Sequence, residues 1–332
     1  MIGSREEQVL KLIIEEYIKT AKPVGSSSIC QVLNCSSATV RNEMANLEQK
    51  GYLEKTHISS GRVPSEKGYR YYVDNLMKPK DMTGEDMLKL QTIFHNNTLQ
   101  ISDAINKSLQ IISDMTNYTS VILGSSSNEN KLKKVEILPL EENKIVAIVI
   151  TDKGHVEHKS LLINENISID EVKQTTDLIN KLLVGTPIDE VSEKLEFEIK
   201  PIIGKYVKQH EIIYNAFYNA FNEFAEKNNM HFVGKTNILK QPEFNNVDKL
   251  KTIINKFENS DMVESIKEED NGINIYIGSE TEFDEDVTII KTKYDIGNEN
   301  GTIAIVGPKR MEYDKVVGLL EFLKSNIDNE NK

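Results

Sequence analysis

The chain has 332 residues, which is long for one ordinary domain and predicts two or three. Its hydrophobic content of 39% and charged content of 28% are typical of a soluble globular protein. No apolar run approaches the ~20 residues that span a bilayer, and the N-terminus lacks a signal-peptide pattern. We therefore expect a cytoplasmic protein with no membrane partner.

The formal net charge of −12 argues against a nucleic-acid partner for the chain as a whole. The charge is unevenly distributed, however. Residues 1–80 hold 12 Lys+Arg and 9 Asp+Glu, a net charge of +3, whereas the other 252 residues hold 28 and 43, a net charge of −15. This asymmetry indicates a DNA-facing module attached to an acidic body, although +3 is too small to decide the matter.

Helical signals begin at the N-terminus. A capping box, with the Ser4 hydroxyl on the third helical amide and Glu7 reaching back, predicts the start of a first helix. Apolar side chains recur behind it at helical spacing. A Pro-Val-Gly break ends this helix, and Ser26 or Ser27 is expected to cap a short second one.

A third helix follows an Asn-Cys turn. Ser36 or Ser37 is expected to cap it, it runs to about Lys50, and Gly51 fits the position where a left-handed residue ends a helix. The order of helix, short helix, turn and helix is that of the helix-turn-helix.

The faces of the third helix differ. Val40, Met44 and Leu47 are spaced to face the core, and the opposite face is small and polar, as a major-groove helix requires. Arg41 is predicted to read guanine and Asn42 adenine by bidentate hydrogen bonds, a solvated helix face being the alternative for both. The predicted DNA contacts on this helix are Ser37, Thr39, Arg41, Asn42 and Asn46.

A two-stranded hairpin is predicted after Gly51. Residues 52–57 alternate as a strand, residues 59–61 form a turn, and Arg62-Val63-Pro64 returns as the partner strand. This hairpin is a wing with Arg62 expected at its tip, where it enters a minor groove or binds phosphate. Lys55, Lys67 and Arg70 are further phosphate candidates. The tyrosines at 69, 71 and 72 are interpreted as packing residues rather than base-stacking ones.

The body has two strand-rich regions. Residues 78–84 form a linker, residues 85–117 a helical region, and residues 120–124 a strand. A three-stranded antiparallel meander is predicted at 134–140, 144–151 and 155–162, followed by helices at 168–184, 188–199 and 201–228. The last helix has an apolar face that suits either an intramolecular core or a dimer interface.

The final hundred residues predict an α+β pattern. A helix at 246–258 precedes strands at 273–277, 287–293 and 301–306 and a helix at 314–325. The strand at 120–124 is expected to join this second sheet, which makes the region between them an insertion.

Catalytic and metal signatures are weak. His155 and His158 lie three apart in a predicted strand and so face opposite sides, and Cys30 and Cys35 suit reduced thiols. Residues 277–280, Ile-Gly-Ser-Glu, suit a turn better than the lining of a pocket. We expect no catalytic residues, no metal and no cofactor, and hence no enzyme.

Several short motifs, in order along nearly the whole chain, resemble the HrcA family of heat-inducible transcription repressors. They occupy residues 4–6, 23–26, 37–44, 61–64, 68–74, 242–244, 277–280 and 307–313. Each is weak alone, but the ordered set is specific. One departure is Ser27, where members often carry a basic residue, which removes a candidate phosphate contact.

The resemblance implies a homodimeric repressor on an inverted-repeat operator of double-stranded DNA upstream of chaperone genes, with the GroE chaperonin as a partner that keeps it active. It also implies an α+β multidomain fold. The expected parts are a winged helix-turn-helix at 1–77, a linker and the first part of a GAF-like domain at 78–126, an inserted α+β dimerisation domain at 127–230 and the second GAF-like part at 231–332.

Two other functions compete with this reading. In one, the GAF-like body senses a small molecule, which a thermal-shift screen would detect as stabilisation by the ligand. In the other, the DNA-binding module is accessory to an enzyme, which requires a convergent set of acid, base and nucleophile that the sequence does not supply.

Overall fold

A computed structural model describes residues 2–55, 61–82, 84–94, 101–124, 131–141, 144–152, 156–162, 168–202, 214–215, 217–219, 221, 230–258, 272–296 and 299–330. The chain divides into two compact units. One contains residues 1–123 and 232–332, and the other contains residues 124–231.

The N-terminal part of the first unit is a winged helix-turn-helix, here called the winged module (residues 2–77). It contains α1 (Ser4–Thr20), α2 (Ser26–Leu33), α3 (Ser37–Gln49), β1 (Leu53–Lys55), β2 (Arg62–Pro64) and α4 (Glu66–Tyr71). A π-helical turn over Tyr72–Leu76 continues α4. The two strands are antiparallel, with Leu53 opposite Pro64 and Lys55 opposite Arg62. The predicted order of helices and wing is confirmed.

The ends of α1 and α2 differ from prediction by one residue. Gly3, not Ser4, is the N-cap of α1, and its amide donates to Glu6 Oε2 at 2.7 Å. Glu7 therefore does not close a capping box; its carboxylate accepts a hydrogen bond from the Tyr71 hydroxyl at 2.6 Å. Gly25, rather than Ser26 or Ser27, is the N-cap of α2. In both cases glycine adopts the extended conformation of the cap, so the following serine becomes the first helical residue.

The ends of α3 are as predicted. Ser36 is the N-cap and its hydroxyl accepts from the Thr39 amide at 3.1 Å. Gly51 follows the helix with φ of 78°, the left-handed conformation that glycine adopts without steric cost.

The remainder of the first unit, called the body (residues 78–123 and 232–330), is built on a five-stranded sheet. Its strands are β3 (Thr119–Gly124), β7 (Met230–Val233), β8 (Ile273–Ile277), β9 (Val287–Ile296) and β10 (Glu299–Pro308), in the order β7-β3-β10-β9-β8. The helices are α5 (Gly84–Phe94), α6 (Ile101–Thr116), α9 (Val247–Glu258) and α10 (Tyr313–Glu330). The prediction that the strand near residue 120 joins the C-terminal strands is confirmed.

The helical region predicted at 85–117 is confirmed where the structure describes it, by α5 and α6, and residues 95–100 lie outside the described part of the chain. The linker prediction needs revision. Residues 78–84 are not a free linker but part of the body, since the Lys80 amide donates to the Asp314 carbonyl at 2.9 Å.

Winged module and body share one core. The same hydrophobic cluster includes Leu10, Leu47 and Tyr69 of the module and Tyr313 and Leu320 of the body. The ring of Tyr313, which is fully buried, lies 6.0 Å from that of Tyr69 and 6.4 Å from that of Tyr72. The predicted packing role of these module tyrosines is confirmed.

The second unit has its own sheet and core. Strands β4 (Leu132–Glu141), β5 (Lys144–Thr151) and β6 (Val156–Leu162) form the predicted antiparallel meander. Helices α7 (Ile169–Leu183) and α8 (Ile188–Lys194), the latter continued by a π-helical turn at Leu195–Ile199, supply core residues. Phe217 and Phe221, from the predicted helix at 201–228, are buried in this core. Much of that helix lies outside the described residues, as does His155.

None of the helices in the described part of the chain combines the length and the hydrophobicity of a membrane-spanning helix. Within the same part of the chain, no group of three or more His, Cys, Asp or Glu residues is placed to hold a metal ion.

Candidate nucleic-acid interface

The candidate interface is the solvent-facing side of α3. Val40, Met44 and Leu47 are buried in the module core, as predicted. The opposite side is exposed over its whole length, at Ala38, Arg41, Asn42, Ala45, Asn46 and Gln49. Small residues let this face approach a DNA base edge, and the guanidinium and amide groups are the chemical types that read guanine and adenine.

Arg41 is partly oriented by its neighbours. Its Nε donates to the Ser26 hydroxyl at 3.3 Å, and Ser26 is in turn hydrogen-bonded to the Ser37 hydroxyl at 2.9 Å. Thr39 is bonded to the cap residue Ser36 at 2.9 Å between hydroxyls. Ser37 and Thr39 are half-buried. These two residues therefore hold the start of α3, beside the exposed residues Arg41 and Asn42.

The wing differs from expectation at Arg62. Arg62 does not lie at the hairpin tip; it lies in β2 opposite Lys55, and residues 56–60 between the strands are outside the described part of the chain. Its side chain is 16% exposed and its Nε contacts Glu48 Oε2 at 2.7 Å. The Val24 backbone pairs with Arg62 in both directions at 2.9 Å, which places Arg62 inside the module's structure. Lys55 is exposed.

Lys67 and Arg70 belong to α4 and differ in their surroundings. Lys67 is exposed, its ammonium donating to the Lys50 carbonyl at 2.8 Å and lying 4.4 Å from the centroid of the Tyr52 ring. Arg70 is half-buried and is ion-paired with Glu280 of the body. The predicted contact residues therefore fall into two groups. The exposed ones are Arg41, Asn42, Asn46, Lys55 and Lys67, and the half-buried ones are Ser37, Thr39, Arg62 and Arg70.

The module is fastened to the body at two sites that the sequence did not reveal. At the first, Glu66 and Arg70 of α4 bind Ser279 and Glu280, which belong to the 3-10 turn at Gly278–Thr281. The motif at 277–280 is thus a turn, as predicted. The available signal was an acid and a base spaced i, i+4 at Glu66 and Arg70, which marks one helix face but does not identify a partner.

At the second site, Arg310 of the body meets the end of α1. Its Nη1 donates to the Ile18 carbonyl at 3.3 Å, and its remaining donors bind Gln241 at 3.1 Å and Glu243. The last four carbonyls of a helix lack intrahelical partners, and a cation there also offsets the helix dipole. The motifs at 242–244 and 307–313 therefore meet at this helix end.

A further ion pair joins α1 to the end of α3. Lys50, which follows α3, contacts both carboxylate oxygens of Glu6 at 2.7 and 2.8 Å. This hydrogen bond, with the one from the Gly3 amide, lowers the pKa of Glu6 below its ordinary value of 4.5. The N-terminus of α1 and the C-terminus of α3 are thus held together by a charge pair.

A small cavity lies where the predicted linker meets the body, lined by residues that include Met82, Asp86 and Lys315. Its volume is about 50 Å³, room for a few water molecules. Ligand pockets for drug-sized molecules span roughly 300–1,000 Å³, so this cavity does not favour the small-molecule sensor.

Family models and individual relatives of one kind match nearly the whole chain. The model of the HrcA protein C-terminal domain matches residues 102–317, and that of a DeoR-like helix-turn-helix domain matches residues 11–63. The heat-inducible transcription repressor HrcA of Bacillus pumilus is 37% identical over 335 residues, covering 99% of this chain and 98% of the relative. That of Lysinibacillus sphaericus is 38% identical over 333 residues, covering 98% and 97%.

A crystal structure of a hypothetical protein matches with a TM-score of 0.63 at 22% identity, covering 100% of this chain and 98% of the other. At that identity the match shows a shared fold. The sequence matches go further, because one family model spans more than half of the chain and the two relatives align over nearly all of it. The chain belongs to the HrcA family of heat-inducible transcription repressors.

Proposed function

We propose that the protein is a homodimeric, sequence-specific repressor of heat-shock chaperone genes. It binds an inverted-repeat operator, is released on heat stress and regains activity with help from the GroE chaperonin. Membership of a family whose named relatives are heat-inducible transcription repressors supports the regulatory role. The observation that carries DNA recognition is the exposed, small and polar face of α3 beside a wing.

In this proposal α3 enters the major groove. Arg41 reads guanine at N7 and O6, and Asn42 reads adenine at N6 and N7, each by two hydrogen bonds. Asn46 lies one turn further along the same exposed face. Ser37 and Thr39 flank the readout. Lys55 and Lys67, which are exposed, are the candidates for phosphate contact, whereas Arg62 and Arg70 are ion-paired with Glu48 and Glu280.

The second unit offers a surface for pairing. On β5, Ile145, Ala147 and Val149 are buried, whereas Val146 and Ile148 on the other face are only half-buried. Register places Leu138 beside Val146 on that outer face, and Val156 beside Ile150. Leu138 and Val156 are 49% and 59% exposed, and together with Val146, Ile148 and Ile150 they form an apolar strip that a second copy would cover. Lys134, Glu136 and His158 lie on the same face and border this strip.

DNA recognition is tested by selecting bound duplexes from a random library with the intact chain. A two-fold dimer is expected to enrich an inverted repeat, because each half-site meets the same surface. In gel shifts on that duplex, Arg41→Ala and Asn42→Ala should each weaken binding by about 1–3 kcal/mol. Lys251→Ala, an exposed lysine on α9, is the matched control. Unchanged affinity in both α3 variants would refute the readout, and enrichment of no sequence would refute sequence-specific binding.

Pairing is tested by sedimentation velocity. Ile148→Asp introduces a charge in the middle of the apolar strip and is expected to convert dimer to monomer without unfolding, because its side chain is on the face opposite the core. Val184→Asp places the same charge on another exposed apolar residue, 51% exposed, and should remain dimeric. If the Ile148→Asp protein remained dimeric, this strip would not be the dimer interface.

A further inference from the structure

All three nitrogens of the Arg70 guanidinium are hydrogen-bonded to groups of the same chain. Its Nε donates to Glu280 Oε1 at 3.0 Å and its Nη2 to Glu280 Oε2 and to the Ile275 carbonyl at 2.5 Å. Its Nη1 contacts Asp74 at 3.3 Å. The side chain is 29% exposed. A guanidinium bound on all three nitrogens has little donor capacity left for a phosphate.

The turn that receives Arg70 is shaped for this contact. Gly278 has φ of 58°, and a Cβ there would collide with the Glu66 carboxylate. The Glu280 carboxylate also accepts from the Ile277 amide at 3.0 Å, which holds it in place. At Ser279 the body is the donor: its amide donates to Glu66 Oε2 at 3.1 Å and its hydroxyl also binds Glu66. Two contacts, one at Glu66 and one at Arg70 a helical turn later on α4, thus join module and body.

The same helix contacts the end of the recognition helix. Ser65, the N-cap of α4, donates its hydroxyl to the Gly51 carbonyl at 2.7 Å, and Lys67 donates to the Lys50 carbonyl at 2.8 Å. Lys50 and Gly51 follow α3 directly. A continuous set of hydrogen bonds therefore runs from the turn at 278–281 through α4 to the C-terminal end of α3.

We propose that Glu280 and Ser279 are positioning residues for operator recognition, and that Arg70 belongs to this clamp rather than to the phosphate contacts. The clamp, defined as Glu66, Arg70, Ser279 and Glu280, fixes the direction of α3 relative to the body. In a dimer the body of each subunit then sets the spacing of the two recognition helices. This proposal rests on the proposed DNA-binding function and adds the residues that orient it.

The test compares a full inverted repeat with a duplex in which one half-site is scrambled. Misdirected recognition helices reach one half-site as before but meet the second poorly. Glu280→Gln and Arg70→Gln are therefore expected to lose about tenfold in affinity for the full operator, with little change on the half-site duplex. Because both act on one contact, the double variant should lose no more than either single variant. Glu282→Gln, an exposed carboxylate two residues along, is the control.

Salt dependence separates the clamp from a phosphate contact. Loss of one phosphate contact lowers the slope of log affinity against log salt by about 0.9, whereas loss of the clamp leaves the slope unchanged. An Arg70→Gln protein with a reduced slope, beside a Glu280→Gln protein that binds like wild type, would overturn the proposal. Equal losses on full and half-site duplexes would also overturn it, because they indicate general destabilisation.

Hydrogen exchange of the intact protein provides a readout without DNA. Glu280→Gln is expected to raise amide exchange in residues 66–76 while exchange in β9 and β10 stays at the wild-type level. Unchanged exchange in residues 66–76 would show that the clamp does not hold α4. If the wild-type chain bound no duplex, the DNA-binding function would fail, whereas the exchange result would still report on the clamp.

Discussion

The winged module has two polar surfaces, one exposed to solvent and one whose charged groups are paired with the body. On the outer side of α3, Arg41, Asn42 and Asn46 are exposed. On the side that faces the body, Arg70 and Glu66 have protein partners, and the end of α1 is bound by Arg310. The first surface is open to a partner and the second is already occupied.

The difference shows that a count of basic residues overstates the charge available to DNA. The module's small excess of +3 includes Lys50, Arg62 and Arg70, each paired with a carboxylate. Arg41 and Lys55, by contrast, are exposed. This distribution of charge supports the proposed readout through hydrogen bonds to base edges over general attraction to the phosphate backbone.

The largest expected effect is at the occupied surface. Tyr313→Ala removes a fully buried ring packed against Tyr69 and Tyr72 and should lower the free energy of unfolding by about 3–5 kcal/mol in urea denaturation. Tyr313→Phe keeps the ring and loses the hydroxyl contacts, so about 1 kcal/mol is expected. Equal losses in the two variants would mean that the ring contributes nothing to joining module and body.

The next effect is at the turn of the clamp. Gly278→Ala forces a left-handed conformation on alanine and a collision with Glu66, so a loss of about 1–3 kcal/mol is expected in thermal or urea unfolding. Gly185→Ala, at φ of 89° with open space around it, measures the backbone strain alone. Gly272→Ala, which has neither strain nor a close neighbour, should be neutral. If Gly278→Ala cost no more than Gly185→Ala, the close approach of Glu66 would be excluded.

A smaller effect is expected from acid at Glu6. Its pKa is lowered in the folded state by the hydrogen bond from Lys50, so its contribution to stability is present above the ordinary pKa of 4.5 and is lost as pH falls through the folded value. Glu6→Gln should remove about 1 kcal/mol at neutral pH and flatten this part of the pH profile of the unfolding free energy. Parallel profiles for wild type and Glu6→Gln would contradict the assignment.

The smallest effect on stability is expected at the open surface. Arg41→Ala and Asn42→Ala remove exposed side chains and should change the free energy of unfolding by no more than about 0.5 kcal/mol. Operator affinity is the property that these two variants should lose. A large loss of stability in either would show that α3 needs the side chain for folding, and would end the contrast between the two surfaces.

Local patterns determined most of the secondary structure. The spacing of Val40, Met44 and Leu47 identified the buried side of α3, and therefore its exposed side, because a helix repeats every 3.6 residues. Alternation and short turns likewise predicted the meander of β4, β5 and β6. The helix caps at Gly3 and Gly25 were missed by one residue, because a glycine N-cap offers no side-chain signal.

Long-range pairing was decided by the tertiary structure. Arg62 and Arg70 are basic residues of the same kind as Arg41, and their neighbours in sequence do not identify Glu48 or Glu280 as partners. The fold brings Glu48 close to Arg62 and Glu280 close to Arg70, and each pair forms a salt bridge. The charge of a side chain is a local property, but its availability depends on which partner the folded chain places within hydrogen-bonding distance, here 210 residues away for Arg70. The sequence by itself therefore determined the winged module and the exposed face of α3, and the tertiary structure decided which of the module's charges are paired within the chain.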